Sequence, residues 1–125
     1  MYKLSEVQKI LDAQVICCED LLDEVSVQNA CGADLLSDVL AFTKERTLLL
    51  TGMTNLQVIR TVEISDLSGV VFVRGKMPRP EVIEAAVLQK IPVMMTNYTM
   101  YEACGRLYKE GLPGCERKKG ALLNA

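Results

Sequence analysis

Residues 47–76, TLLLTGMTNLQVIRTVEISDLSGVVFVRGK, decide the reading of this 125-residue chain. The stretch opens on Leu48-Leu49-Leu50, turns at Gly52, continues through a helical pattern, re-enters an apolar run at Val70-Val71-Phe72-Val73 and turns again at Gly75. Apolar runs of this length, without alternation, fit strands covered on both faces of a parallel sheet. Between them Leu56, Ile59 and Val62 recur at helical spacing and predict one buried helix face. The scheme repeats once more: Val93-Met94-Met95 follows Pro92, so the three units begin at Thr47, Val70 and Pro92, 23 and 22 residues apart.

The helices that follow the second and third runs are expected to bury Val82, Ile83, Ala86, Val87 and Ile91, and Met100, Tyr101, Cys104, Leu107 and Tyr108. Thr99 with Glu102 spells a capping box at the start of the last one, and Gly111 and Pro113 end it. Upstream, Leu4, Val7, Ile10 and Leu11 predict a helix over 5–12 with Ser5 and Gln8 as its capping box. A short strand is expected over 13–18, then an exposed acidic connection at Glu19-Asp20 and Asp23-Glu24. A strand over 25–31 follows, and then a helix capped by Asp34 that buries Leu35, Leu36, Val39 and Leu40. Strands alternating with helices give an α/β fold: a single domain over 1–112, its mainly parallel sheet flanked by helices, with a flexible basic tail over 113–125 around Arg117-Lys118-Lys119.

Composition narrows the function. A formal charge of −2 provides no basic field for a polyphosphate, and two Phe with no Trp supply few stacking platforms, so nucleic acid is not an expected partner. There is no His, which removes imidazole ligands and His-based acid–base chemistry. The five Cys form no CxxC pair and read as small buried hydrophobes; the adjacent Cys17 and Cys18 are expected to face opposite sides of a strand. No metal and no cofactor is expected. No apolar run approaches the ~18 residues of a membrane span and no leader pattern opens the chain, so a cytoplasmic location is expected.

In a parallel sheet the loops leaving the carboxyl ends of the strands meet at one edge, where ligands bind. The residues expected there are Thr51, Gly52, Thr54 and Asn55; Arg74, Gly75 and Lys76; and Thr96, Asn97 and Thr99. Hydroxyls, amides, free backbone N–H groups at helix starts and two cations suit an anion such as a phosphate or carboxylate. Each has a local explanation as well: Asn55 and Thr99 as N-caps, Gly52 and Gly75 as turn relief, Arg74 and Lys76 as a solvated face. Arg60 is expected on the exposed side of its helix, paired with Glu63 or Glu45. The three loops carry no carboxylate, and neither GxGxxG nor GxxxxGK[ST] occurs.

The LTG turn, the helix carrying IRT, the VVFVRG strand and turn, and the IPVMMTNYTMYEACG segment together resemble the DRTGG domain family, most closely from Leu48 to Gly111. That family is similar to the N-terminal domain of HPr kinase/phosphorylase, and related modules lie between catalytic and nucleotide-sensing regions of some phosphotransacetylases and inorganic pyrophosphatases. The motif is degenerate: Thr51-Gly52-Met53-Thr54-Asn55 stands where members carry Asp-Arg, and Val73-Arg74-Gly75-Lys76 where they carry Thr-Gly-Gly, with Gly75, Pro92 and Thr99 retained. The resemblance implies an α/β fold of that type and a stand-alone, non-catalytic regulatory module. The expected ligand is a nucleotide or phosphorylated metabolite, and the expected assembly a homodimer serving a partner enzyme. The alternative is a protein-interaction or dimerisation module with no ligand; a third reading is a small transferase using Lys76 or a Cys as nucleophile.

Overall fold

The computed structural model describes residues 2–115. Its centre is a five-stranded sheet in the order β2 (Gln14–Cys17), β7 (Val93–Met95), β6 (Gly69–Phe72), β5 (Thr47–Thr51), β4 (Asn29–Gly32). Four neighbours run parallel and β2 closes one edge antiparallel to β7. The register aligns the carboxyl ends of the parallel strands: Gly32 opposes Leu50, Thr51 opposes Phe72, and Phe72 opposes Met95. Two residues each from β1 (Tyr2–Lys3) and β3 (Ser26–Val27) make a separate antiparallel pair.

Every residue of β5 and β6 is buried, as their unbroken apolar runs predict. Alternate side chains feed two cores. Leu48, Leu50, Val71, Val73 and Met94 pack under α1 (Leu4–Leu11) and α5 (Met100–Lys109). Leu49, Val70, Phe72 and Val93 pack under α2 (Leu36–Phe42), α3 (Leu56–Ile64) and α4 (Pro80–Leu88). Each fully covered Leu, Val or Phe contributes about 1.5–3 kcal/mol, so this sheet with its two layers holds the domain together. Among the described residues no buried side-chain nitrogen or oxygen lacks a hydrogen-bond partner, and no helix is long and apolar enough to cross a membrane.

Helix phases differ from expectation. In α4 the core takes Val82 and Ala86, while Val87 is 51% exposed. That helix is apolar on nearly all sides, so periodicity alone does not fix which face turns inward. In α5 the core takes Ala103 and Leu107, leaving Tyr101 and Tyr108 exposed. The helix lies so close over β4 that a Cβ on Gly32 would sit 2.6 Å from Cys104 Sγ and 3.0 Å from Met100 Sδ, the side chains that α5 turns toward the sheet there. In α2 only Val39 is fully covered; Leu35 and Leu40 face solvent.

The amino-terminal part departs further. The strand expected over 25–31 is two strands, broken where the Gln28 N–H leaves to bond Arg46 O (2.8 Å). α1 starts after Lys3, whose N–H donates to Glu6 Oε1 (3.1 Å); Ser5 and Gln8 form no box. Cys18 leaves β2 with φ 60°, so strand alternation ends and its free thiol neighbours that of Cys17. Among the described residues Arg60 makes no ion pair, and the one pair is Arg106–Glu102, 3.5 Å. Pro113 and Gly114 are tied to β4, through the Ala30 N–H to Pro113 O (2.9 Å) and Asn29 Nδ2 to Gly114 O (3.1 Å). The basic residues expected in a tail, Arg117-Lys118-Lys119, lie outside the described residues.

Candidate functional site at the carboxyl edge of the sheet

The loops after β5, β6 and β7 interlock. The Arg74 N–H donates to Tyr98 O and the Gly75 N–H to Thr96 O, both at 2.8 Å, which ties the second loop to the third. Gly75 has φ +66°, and a Cβ there would lie 2.8 Å from Asn97 Oδ1, so glycine is required both for the turn and for the approach of Asn97. The first loop joins through Gly52: a Cβ there would lie 3.0 Å from Arg74 Nη2. Arg74 itself has φ 61°, an αL conformation that a non-glycine residue adopts at a cost of about 1–2 kcal/mol.

A carboxylate enters this edge from outside the three loops. Asp34 does not cap α2. Its Oδ1 accepts the Gly52 N–H (2.8 Å) and the Thr51 hydroxyl (3.1 Å). The cause is register: β4 runs beside β5, so the chain leaving Gly32 reaches the end of β5, where two donors wait. Asp34 Oδ1 lies 3.6 Å, and Arg74 Nη2 3.0 Å, from the same point over Gly52. The three loops themselves carry no carboxylate, as expected; the one at this edge comes from beyond β4, and nothing local around Asp34 announced it.

The hydroxyls are anchors. Thr51 and Thr96 are both buried, and each accepts the N–H two residues on, Met53 N at 3.1 Å and Tyr98 N at 3.3 Å. Thr96 also donates to Leu11 O (2.8 Å), fixing the third loop to the end of α1. The backbone donors of Gly52, Arg74 and Gly75 are engaged within the protein as well. Asn55 and Thr99 cap α3 and α5, accepting Gln57 N (3.1 Å) and Glu102 N (3.4 Å). Thr54 and Lys76 make no side-chain hydrogen bond among the described residues, and Lys76 is exposed. Beside the third loop the Arg106 guanidinium stacks 4.2 Å from the centroid of Tyr98.

The resulting edge holds one internal anion against backbone and hydroxyl donors, and turns Arg74, Lys76 and Asn97 outward. An external anion has the two cations and the capped starts of α3 and α5 available to it; to reach the Gly52 N–H it must displace Asp34. The thiols of Cys17, Cys31 and Cys104 lie elsewhere and are poor nucleophiles at neutral pH. Burial, then the Cys18 thiol beside it, pushes Cys17 up to about 12. Burial, followed by the neighbouring Cys115 and Cys104 thiols and Asp38, pushes Cys31 up to about 11. Burial raises Cys104 as well. Among the described residues no three Cys, Asp or Glu side chains gather as metal ligands would.

With this geometry in hand, the DRTGG domain model matches residues 6–109. The chain belongs to the DRTGG domain family. No curated protein sequence matches it. Among solved structures it is similar to the CBS and DRTGG domains of the regulatory region of Clostridium perfringens pyrophosphatase, determined in complex with the activator diadenosine tetraphosphate. The TM-score is 0.67 at 20% identity, over 89% of this chain and 47% of that one. The DRTGG chain described here thus spans about half of that regulatory region, and the likeness establishes a shared fold, which agrees with the α/β reading of the sequence.

Proposed function

We propose that this DRTGG domain is a non-catalytic regulatory module that binds a small phosphorylated anion, a nucleotide or phosphorylated metabolite, at the carboxyl edge of its sheet, and passes its state to a partner enzyme. The observation that carries the reading is the interlocked turn system in which Arg74, held at φ 61°, lies over Gly52 beside Asp34. A charged residue held in a left-handed turn at the ligand edge of a parallel sheet supports a binding role for that loop. The regulatory region of the pyrophosphatase that shares the fold is complexed with a dinucleotide activator, which supports a nucleotide as the first ligand class to try. An anion bound at Arg74 competes with Asp34 for the Gly52 N–H, and displacing Asp34 loosens the tie between β4 and β5, giving the module two states. A thermal-shift screen against nucleotides and phosphorylated metabolites tests this: a specific rise is expected, and it is lost in Arg74→Ala.

A second reading rests on a different observation. Ile83, Val87 and Leu88 of α4 make an apolar surface, with Leu88 80% exposed and Ile64 at the end of α3 75% exposed. Such a surface suits a homodimer or a partner protein, and interaction rather than ligand sensing would then be the function. Sedimentation of the full chain separates the two: an assembly dispersed by Leu88→Glu, together with a flat ligand screen, favours interaction.

A further inference from the structure

The opposite edge of the sheet carries a cleft of about 340 Å³ at the amino ends of β5, β6 and β7. Arg46, Asp66 and Lys90 line it, each from the turn that leads into one of those strands, and Glu63 joins them from α3. All three turn residues are left-handed, with φ 62°, 52° and 56°. Glycine is the residue that relieves such a turn, and here a charged residue occupies each of the three. The charges are of both signs, yet among the described residues none of the four forms an ion pair with another. The floor between them is rigid: the Ser68 hydroxyl donates to Ser26 O (2.7 Å) and the Ser68 N–H to Thr47 O (2.9 Å).

We propose that this cleft is a second ligand site, for a small zwitterion of the free α-amino-acid class. Arg46 and Lys90 take the carboxylate and Glu63 and Asp66 the ammonium. Opposite charges held apart around one concavity suit a ligand that carries both charges itself and completes the charge-assisted pairs left open among the described residues. A simple anion or a simple cation meets repulsion from half of the lining. The site is independent of the phosphate reading, since it shares no residue with the carboxyl edge.

The test is NMR titration of the full chain with the common free L-amino acids and with the N-acetylated and C-amidated forms of any that bind. At least one free amino acid is expected to shift the amides of Arg46, Ser68 and Ile91, and blocking either end weakens binding at least ~10-fold, the scale of one lost charge-assisted contact. Arg46→Gly and Lys90→Gly relieve the left-handed turns, so the melting temperature is expected to rise while binding is lost, a combination that a merely structural role does not produce. Glu63→Gln, which leaves the backbone untouched, is expected to weaken binding in the same way. No perturbation at these amides by any amino acid, or binding that survives blocking of either end or the three substitutions, overturns the proposal.

Discussion

The two edges of the parallel sheet are built on opposite plans. At the carboxyl edge the turns are knitted together: Gly52 to Asp34, Arg74 to Tyr98, Gly75 to Thr96, Thr96 to Leu11. At the amino edge the turns surround a cleft, each holding a charged residue in a left-handed conformation. One edge is pre-organised and presents few outward groups; the other is open and presents several. Glycine and strain are used differently at each. Gly52 and Gly75 allow neighbouring loops to touch, whereas Arg46, Asp66 and Lys90 occupy turns where glycine would fit better.

The comparison breaks most visibly at Gly69, where β6 begins. A Cβ there would lie 2.9 Å from the backbone carbonyl of Pro92, which cannot move without shifting β7. Gly69→Ala is expected to destabilise the fold by about 1–3 kcal/mol in chemical denaturation. Next comes Thr96→Val, which leaves Leu11 O and Tyr98 N without their buried partner. A loss of about 1–2 kcal/mol is expected, with faster amide exchange confined to the third loop and the end of α1.

Asp34→Asn sharpens the contrast with a smaller effect. An amide oxygen still accepts the Gly52 N–H and the Thr51 hydroxyl, so denaturation should show a loss of only about 0.5–1 kcal/mol. The same change removes the internal carboxylate beside Arg74, so any response to a phosphorylated ligand is expected to grow. Stability and ligand response moving in opposite directions distinguishes a ligand edge from a structural knot.

Legibility in the sequence followed the number of faces each element buries. β5, β6 and β7 are covered on both sides, so their runs were plain, and the turns that follow them placed Gly52, Arg74, Gly75 and Thr96 at one edge. Asn55 and Thr99 were legible as caps because capping is local. Asp34 was not, because its partners Thr51 and Gly52 are brought to it by strand register, which no window around residue 34 contains. The phases of α4 and α5 were obscured by apolar residues on more than one side. The split between β3 and β4 was hidden because alternation continues across Gln28 while the pairing partner changes from β1 to β5.

Arg74 is the residue proposed to meet an external anion, and one measurement addresses it directly: the change in melting temperature of the full chain with nucleoside phosphates and dinucleoside polyphosphates, for the parent protein, Asp34→Asn and Arg74→Ala. Alanine at φ 61° carries much the same backbone strain as arginine, so the comparison isolates the guanidinium. A rise in the parent, a larger one in Asp34→Asn and none in Arg74→Ala is the predicted result. A flat response throughout, or a rise that persists in Arg74→Ala, contradicts a ligand site at the carboxyl edge.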